Sequence, residues 1–348
     1  MNINDYGFDA SLYKYDGGTV ARVVAVHRER YKLITDAGEC HGRLKTKEYF
    51  VDGEVFPTAG DFVIINYNPI GDSMITRTLP RRTSFVRSDP DPNKGEQAVA
   101  ANFDYVFIMQ SLNNDYNLKR LERYLTLAWQ SGAQPVVILT KADLVSDLAE
   151  IISDVELYAP GVPIHAISAK TGYGMSELEA YFSKGKTVVF LGSSGIGKST
   201  LVNALVGEEI MTTAGIREDD SRGRHTTTHR ELIMLDSGAM IIDTPGMRSL
   251  GMWDVDGGLE NAFSDVEEYL GRCRFSDCRH ESEPGCAIKA AIDCGELKPE
   301  RWESYLSLIK EAKYADDKES FLRAKNEWHK SLSKGHKQLK KINPKYKY

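Results

Sequence analysis

The chain has 348 residues, 41% of them apolar and 27% charged, with a formal net charge of −6. Such a length holds two or three domains and at least one large core, while the acidic total excludes a uniformly basic nucleic-acid binder. No apolar run approaches the ~18 residues that span a bilayer, and the opening MNINDYGFDASLYKY lacks a basic segment followed by an apolar core, so a cytoplasmic protein without membrane contact is expected.

Residues 18–80 alternate short β-rich runs with turn signals. Thr19–Val26, Tyr31–Thr35, Asp61–Asn66 and Met74–Thr78 are broken by DGG, DAGE, TAGD and IGD. That spacing predicts a small barrel, either an OB-fold or an SH3-like barrel. Arg22, Arg28, Arg30, Lys32, Arg43, Lys45 and Lys47 could give it a basic patch, although residues 1–87 hold 12 basic and 11 acidic groups. The segment RSDPDPNKGEQ (87–97) has a linker's composition.

From Phe103 the texture changes to strands alternating with helices, the pattern of a parallel α/β sheet. Tyr105–Met109, Pro135–Leu139, Thr187–Leu191 and Met240–Asp243 are buried-type strands. Asn117–Ser131, Ser176–Phe182 and Lys198–Val206 have helical spacing, and a polar helical tail covers Arg301–Leu339.

Two stretches of this α/β region carry chemistry. Gly192-Ser193-Ser194-Gly195-Ile196-Gly197-Lys198-Ser199, followed by Thr200, fits G-x-x-x-x-G-K-[ST] between a strand and a helix. Glycines let backbone N–H groups converge on phosphate oxygens at a helix N-terminus. Lys198 would reach the β- and γ-phosphates and Ser199 would hold Mg²⁺. Asp243-Thr244-Pro245-Gly246 ends a strand downstream, where Asp243 can hold Mg²⁺ through water and the Gly246 N–H can sense the γ-phosphate.

The second stretch is Thr140-Lys141-Ala142-Asp143, at the end of strand Pro135–Leu139. The Asp143 carboxylate can accept from guanine N1–H and N2–H₂, donors that adenine does not offer there. Lys141 can lay its stem over the base. Ser168-Ala169-Lys170 follows the apolar run Ile164–Ile167, and its backbone N–H groups could meet guanine O6. This base reader precedes the phosphate loop in the chain. Both serve one site if the domain is circularly permuted, because ligands bind at the carboxyl ends of parallel strands whatever their order in sequence.

The order T-K-A-D, S-A-K, G-x-x-x-x-G-K-S, G-R-H-T-T-T, D-T-P-G resembles the circularly permuted GTPases, most closely the RsgA (YjeQ/YloQ) family of small-subunit-dependent ribosome-assembly GTPases. RVVAVHRERY, LPRRTSF and LERYLTLAWQSGAQPVVILTKADL are similar to that family too. The resemblance makes SRGRHTTTHREL (221–232) the first switch, in which Thr227, or its neighbour Thr226 or Thr228, closes on Mg²⁺. Met247 stands where many GTPases place a water-orienting glutamine, which leaves His225 as the candidate for that work. Slow intrinsic hydrolysis, accelerated by the small subunit, is the expected consequence.

Four of the five cysteines fall within 22 positions. Cys273-x₄-Cys278-x-His280-x₅-Cys286 supplies three thiolates and one imidazole, a closed set for one structural Zn²⁺, with Cys294 as a rival fourth ligand. The C-x-H spacing matches the family. Residues 325–348 carry eight lysines and one acid, leaving −13 for the rest of the chain. Phosphate-backbone contact is therefore expected at the tail or at local patches.

The expected organisation is an OB-fold-like RNA-binding barrel at 1–86, a linker at 87–98, a circularly permuted P-loop GTPase domain at 99–258, and a zinc-binding domain with a basic helical tail at 259–348. The resemblance implies a monomer that binds GTP and GDP with Mg²⁺. Its implied partners are the 30S subunit and 16S rRNA, and it couples hydrolysis to a late step of small-subunit maturation or factor release. The alternatives are a generic P-loop ATPase or kinase, and an RNA-binding scaffold that holds guanine nucleotide without needing turnover.

Overall fold

The computed structural model describes residues 2–27, 30–50, 54–88, 96–113, 115–193, 195–206, 231–243, 256–281 and 283–313. The first five strands are β1 (Thr19–His27), β2 (Arg30–Thr35), β3 (Gly38–Leu44), β4 (Phe62–Asn66) and β5 (Ser73–Thr78), with a short helix α1 (Thr46–Phe50) between β3 and β4. β1 pairs with β2, β2 with β3, β3 with β5, β5 with β4, and β4 returns to β1. All these pairings are antiparallel except β3 with β5. The circuit decides between the two expected barrels. Five strands close in the order 1-2-3-5-4, which is the OB arrangement. A register shift between Val23 and Ala25 lets the nine-residue β1 bend and serve both neighbours. Ala21, Val23, Leu33, Val63, Ile65 and Ile75 fill the interior.

The segment expected as a linker is a strand at both ends. β6 (Ser84–Ser88) and β7 (Glu96–Ala101) form an antiparallel ribbon. Phe85 and Val99 turn inward to the large core.

The α/β region contains β8 (Tyr105–Ser111), α2 (Leu118–Gln130), β9 (Gln134–Thr140), α3 (Leu148–Tyr158), β10 (Ile164–Ile167), β11 (Thr187–Leu191), α4 (Lys198–Val206), β12 (Glu231–Met234) and β13 (Met240–Asp243). The strands lie in the order β10-β9-β8-β11-β13-β12. The first five are parallel, and β12 is antiparallel to β13. The expected helix at Ser176–Phe182 is a 3-10 helix over Met175–Tyr181. Both faces of the sheet are covered, so its strands are nearly continuous apolar runs. Leu121, Leu125, Val137 and Val189 lie in the core on one side, Phe107, Ile138, Val188 and Phe190 in that on the other.

Two buried arginines join the parts. Arg22 on β1 is 1% exposed. Its guanidinium donates to the Asn102 carbonyl at 2.9 Å, to Thr187 Oγ1 at 3.0 Å and to the Tyr6 carbonyl, and lies over Phe62. Burial lowers its pKa to about 10. Arg22 is therefore a joint between barrel and sheet, not a member of the expected basic patch. That patch is also largely paired: Arg30 and Arg43 share Asp72, Lys32 meets Glu39, and Lys45 meets Glu48. Arg301 is the second joint. It lies on the C-terminal helix, described over 299–313 and called α8, and pairs with the buried Glu122 of α2 at 2.7 Å and with Asp265 at 2.8 Å. The helices α5 (Asp256–Ala262), α6 (Ser264–Glu267) and α7 (Ala287–Asp293) pack around it, extending one core from the sheet to the cysteine-rich region.

Candidate nucleotide-binding site

Parallel pairing fixes where the motifs go. Strands β9, β10, β11 and β13 run the same way, so the residues that follow them gather at one sheet edge. β11 is buried along its whole length and delivers the chain to Gly192. The loop turns through Gly195 and Gly197, with φ of +77° and +101°, angles that L side chains rarely adopt. A Cβ on either would project into open space, so the loop is open on that side. Its other side is anchored: Ile196 is buried with Met109, Phe190, Leu201 and Val202. Lys198 begins α4, followed by the half-buried Ser199 and the exposed Thr200. The Lys198 ammonium meets Asp243 Oδ1 at 2.5 Å, although the two are 45 residues apart. Lys198 and Asp243, from separate motifs, thus meet at one point.

The Thr140–Asp143 segment joins this loop directly. Thr140 Oγ1 donates to the Ile196 carbonyl at 2.8 Å, and Lys141 Nζ donates to the Gly195 carbonyl at 3.3 Å. Lys141 is held at φ +60°, a left-handed conformation that costs a non-glycine residue of order 1 kcal/mol. This turn aims its side chain across to the phosphate loop. The adjoining Asp143 carboxylate is exposed. A hydrogen bond from Ser168 holds it ionised, below the usual carboxylate range. One expectation is corrected here. The Ser168 N–H donates to the Tyr173 carbonyl at 2.9 Å, so it is committed to the turn. Ser168 serves Asp143 through its hydroxyl instead.

Sequence reasoning missed Asp115. It accepts from the Ser193 hydroxyl and pairs with Arg120 at 3.0 Å. Ser193 lies 78 residues away, and nothing local marks the pair.

Near the C-terminal end of the described residues, Cys273, Cys278, His280 and Cys286 bring their ligand atoms within 4.8 Å of one another. His280 Nδ1 lies 3.5, 3.7 and 3.4 Å from the three sulfurs, and Cys273 and Cys286 are 4.0 Å apart. A tetrahedron with Zn–S near 2.3 Å and Zn–N near 2.0 Å has edges of about 3.5–3.8 Å, so the donor set fits one such ion. Cys294 stands outside the cluster, exposed, with its Sγ directed at the Ala291 carbonyl. Ser194, His225, Thr226, Thr227, Thr228, Gly246, Met247 and the lysine-rich 325–348 lie outside the described residues.

The family model for the RsgA GTPase matches residues 78–253. The chain belongs to the RsgA GTPase family. Membership carries with it GTP hydrolysis, a guanine nucleotide and Mg²⁺. A small ribosomal subunit biogenesis GTPase RsgA 2 from Listeria monocytogenes serotype 4b is 45% identical over 332 residues, 94% of each chain. An RsgA from Streptomyces avermitilis is 45% identical over 319 residues, 88% of this chain and 84% of its own. The crystal structure of YjeQ from Thermotoga maritima superposes with a TM-score of 0.64 at 27% identity, covering 84% of this chain and 98% of that one. YloQ, described as a circularly permuted GTPase, shares the fold at a TM-score of 0.59 and 22% identity, over 85% of this chain and 95% of its own. A model for ABC transporters also matches residues 175–343. That span holds the Gly192–Thr200 loop but omits β8 to β10 and Thr140–Asp143, all of which the RsgA GTPase model covers. No helix among the described residues is long and apolar enough to cross a membrane.

Proposed function

We propose that the chain binds GTP across the Thr140–Asp143 and Gly192–Thr200 segments and hydrolyses it to GDP and phosphate in a Mg²⁺-dependent reaction stimulated by the 30S ribosomal subunit. The observation that carries this reading is the pair of hydrogen bonds from Thr140 and Lys141 to the phosphate loop. They join a carboxylate suited to guanine to a loop suited to phosphate, in inverted sequence order. Asp143 accepts from N1–H and N2–H₂, the Lys141 stem covers the base, and the N–H groups of Ala169 and Lys170 reach O6. Gly192 to Gly197, with Ser193, Ser194 and Ile196, wrap the phosphates through the backbone. Lys198 leaves Asp243 for the β- and γ-phosphates, Ser199 takes Mg²⁺, Thr200 caps the α-phosphate, and Asp243 holds the metal through water. Thr227 closes on the same ion, Gly246 senses the γ-phosphate, and His225 orients the attacking water.

Zn²⁺ in the Cys273–Cys278–His280–Cys286 cluster, one per chain, is structural: four protein ligands leave no open position. The relatives' name, small ribosomal subunit biogenesis GTPase, supports the same role here. The protein acts in the cytoplasm as a monomer, at a late step of subunit maturation or factor release. The barrel and the lysine-rich tail contact 16S rRNA. The barrel's paired arginines do not oppose this, because exposed ion pairs are worth only about 0–1 kcal/mol and yield to phosphate. The domain limits that go with this reading are barrel 1–86, linker 87–98, GTPase 99–258, zinc domain and tail 259–348. The test is GTP turnover with and without purified small subunits, with ATP as competitor. Full-rate turnover by the isolated chain, or equal competition by ATP, contradicts the reading.

A further inference from the structure

We propose that Asp115 and Arg120 are a positioning pair for the phosphate loop, and that their charge balance sets the ratio of GTP to GDP affinity. The inference rests on Gly192–Thr200 being the phosphate site, as proposed above. β8 is the neighbour of β11 in the parallel sheet, so the segment after β8 descends beside the loop after β11. There the Ser193 hydroxyl donates to Asp115 Oδ2. Asp115 is itself held in place. Its N–H donates to Asn113 Oδ1 at 3.1 Å, and Arg120 Nη1 donates to its Oδ1 at 3.0 Å. Arg120 is in turn fixed at the start of α2, where its N–H donates to the capping Asn117 Oδ1 at 2.9 Å.

A carboxylate on a loop that must receive phosphate is an unusual partner. It orients Ser193, the second residue of the loop, but it also repels the ligand. Arg120 offsets that repulsion, and both side chains remain partly open to solvent, 41% for Asp115 and 25% for Arg120. The offset is therefore incomplete and screened. What remains scales with the charge of the ligand, so a triphosphate feels it more than a diphosphate. Asp243, the other carboxylate at this loop, faces Lys198 and belongs to the metal side.

The test measures binding of GDP and of a non-hydrolysable GTP analogue to the full chain with Mg²⁺ at low ionic strength. D115N keeps an acceptor for Ser193 and removes the charge. It should raise the GTP-analogue to GDP affinity ratio about 2.4-fold, the Coulomb effect of one unit charge at ~8 Å in a water-like dielectric. R120Q should lower the ratio by a similar factor, and D115N/R120Q should restore it. S193A should weaken both nucleotides and leave the ratio unchanged. The shifts should fade at ~1 M salt, where the screening length falls to about 3 Å. An unchanged ratio in both single variants, or a double variant that only adds two losses, overturns the proposal and leaves the site reading standing. A wild-type chain that takes up no guanine nucleotide overturns both.

Discussion

Replacing Arg301 by Met should loosen the cysteine-rich C-terminal region from α2 and the sheet, and the loss should depend on pH in a direction that burial fixes. Arg301 is 3% exposed and Glu122 is fully buried. The guanidinium donates to Glu122 Oε1 at 2.7 Å, to both Asp265 oxygens at 2.8 and 2.9 Å, and to the Ala262 carbonyl at 2.5 Å. Met keeps most of the apolar contact with Phe263, which lies 4.0 Å under the guanidinium. What is lost is the charge, and Glu122 is left with the Ser304 hydroxyl. Removing one member of a buried pair costs about 3–5 kcal/mol. Burial already raises the Glu122 pKa above its ordinary value, and without the cation it rises further. A carboxyl raised by folding contributes stability below its unfolded pKa and loses it as pH rises through the folded one. The penalty in R301M should therefore be largest near pH 7.5 and shrink toward pH 5. R301M/E122Q has no carboxylate to protonate there, so it should be more stable than R301M at pH 7.5 and converge with it on acidification. The assay is hydrogen exchange in peptides covering α7 and α8, comparing the two variants at each pH so that metal loss cancels. Equal protection at pH 7.5, or a gap that widens in acid, refutes the argument.

Asp143→Ala should weaken GTP by about 5- to 150-fold, the equivalent of 1–3 kcal/mol for lost acceptors, while leaving the weak affinity for ATP unchanged; competition calorimetry checks both. Elemental analysis should find one zinc per chain, abolished in Cys286→Ser and retained in Cys294→Ser, since only the former lies in the four-ligand cluster. Arg22→Ala should lower thermal stability by about 2–4 kcal/mol, because several buried acceptors lose their donor. Arg22→Lys should not recover the loss, as one ammonium cannot span the acceptors that the planar fork reaches.

Much of the site was legible because its motifs sit at strand ends, and strand ends show as an apolar run meeting glycine or a polar triplet. Thr187–Leu191 followed by Gly192 is such a boundary, and the structure places β11 over those residues. The barrel type was not legible, since strand spacing says nothing about which strands close the circuit. The parallel pairing of β3 with β5 decided it. The Pro-rich composition of 87–98 reads as a linker, while the residues flanking it pair as a ribbon, a long-range partnership that composition does not reveal. Arg22 looked like one more basic residue on a barrel strand. Its burial depends on Asn102 and Thr187, 80 and 165 residues away. Ser193 and Asp115 are hidden for the same reason: a contact between two polar residues in separate loops leaves no periodic trace.

Backbone conformation marks the joints that composition concealed. Among the described residues, three non-glycine residues have positive φ: Asn102 at +53°, Lys141 at +60° and His280 at +61°. The left-handed region costs an ordinary L residue about 1–2 kcal/mol, less for Asn, and is kept where the surroundings favour it. The surroundings are specific. The Asn102 side chain accepts from the Arg82 N–H at 3.0 Å and donates to the Gly60 carbonyl at 3.2 Å, while its own carbonyl accepts from Arg22. It therefore ties barrel, ribbon and sheet at one residue. Lys141 ties the Thr140–Asp143 segment to the Gly192–Thr200 loop, and His280 turns its ring into the three sulfurs while packing against Trp302 of α8. Local preference alone would put another conformation at all three places. In each, tertiary contacts outweigh it by bringing together segments remote in sequence, and a permuted chain requires that most at the junction of Lys141 with Gly195.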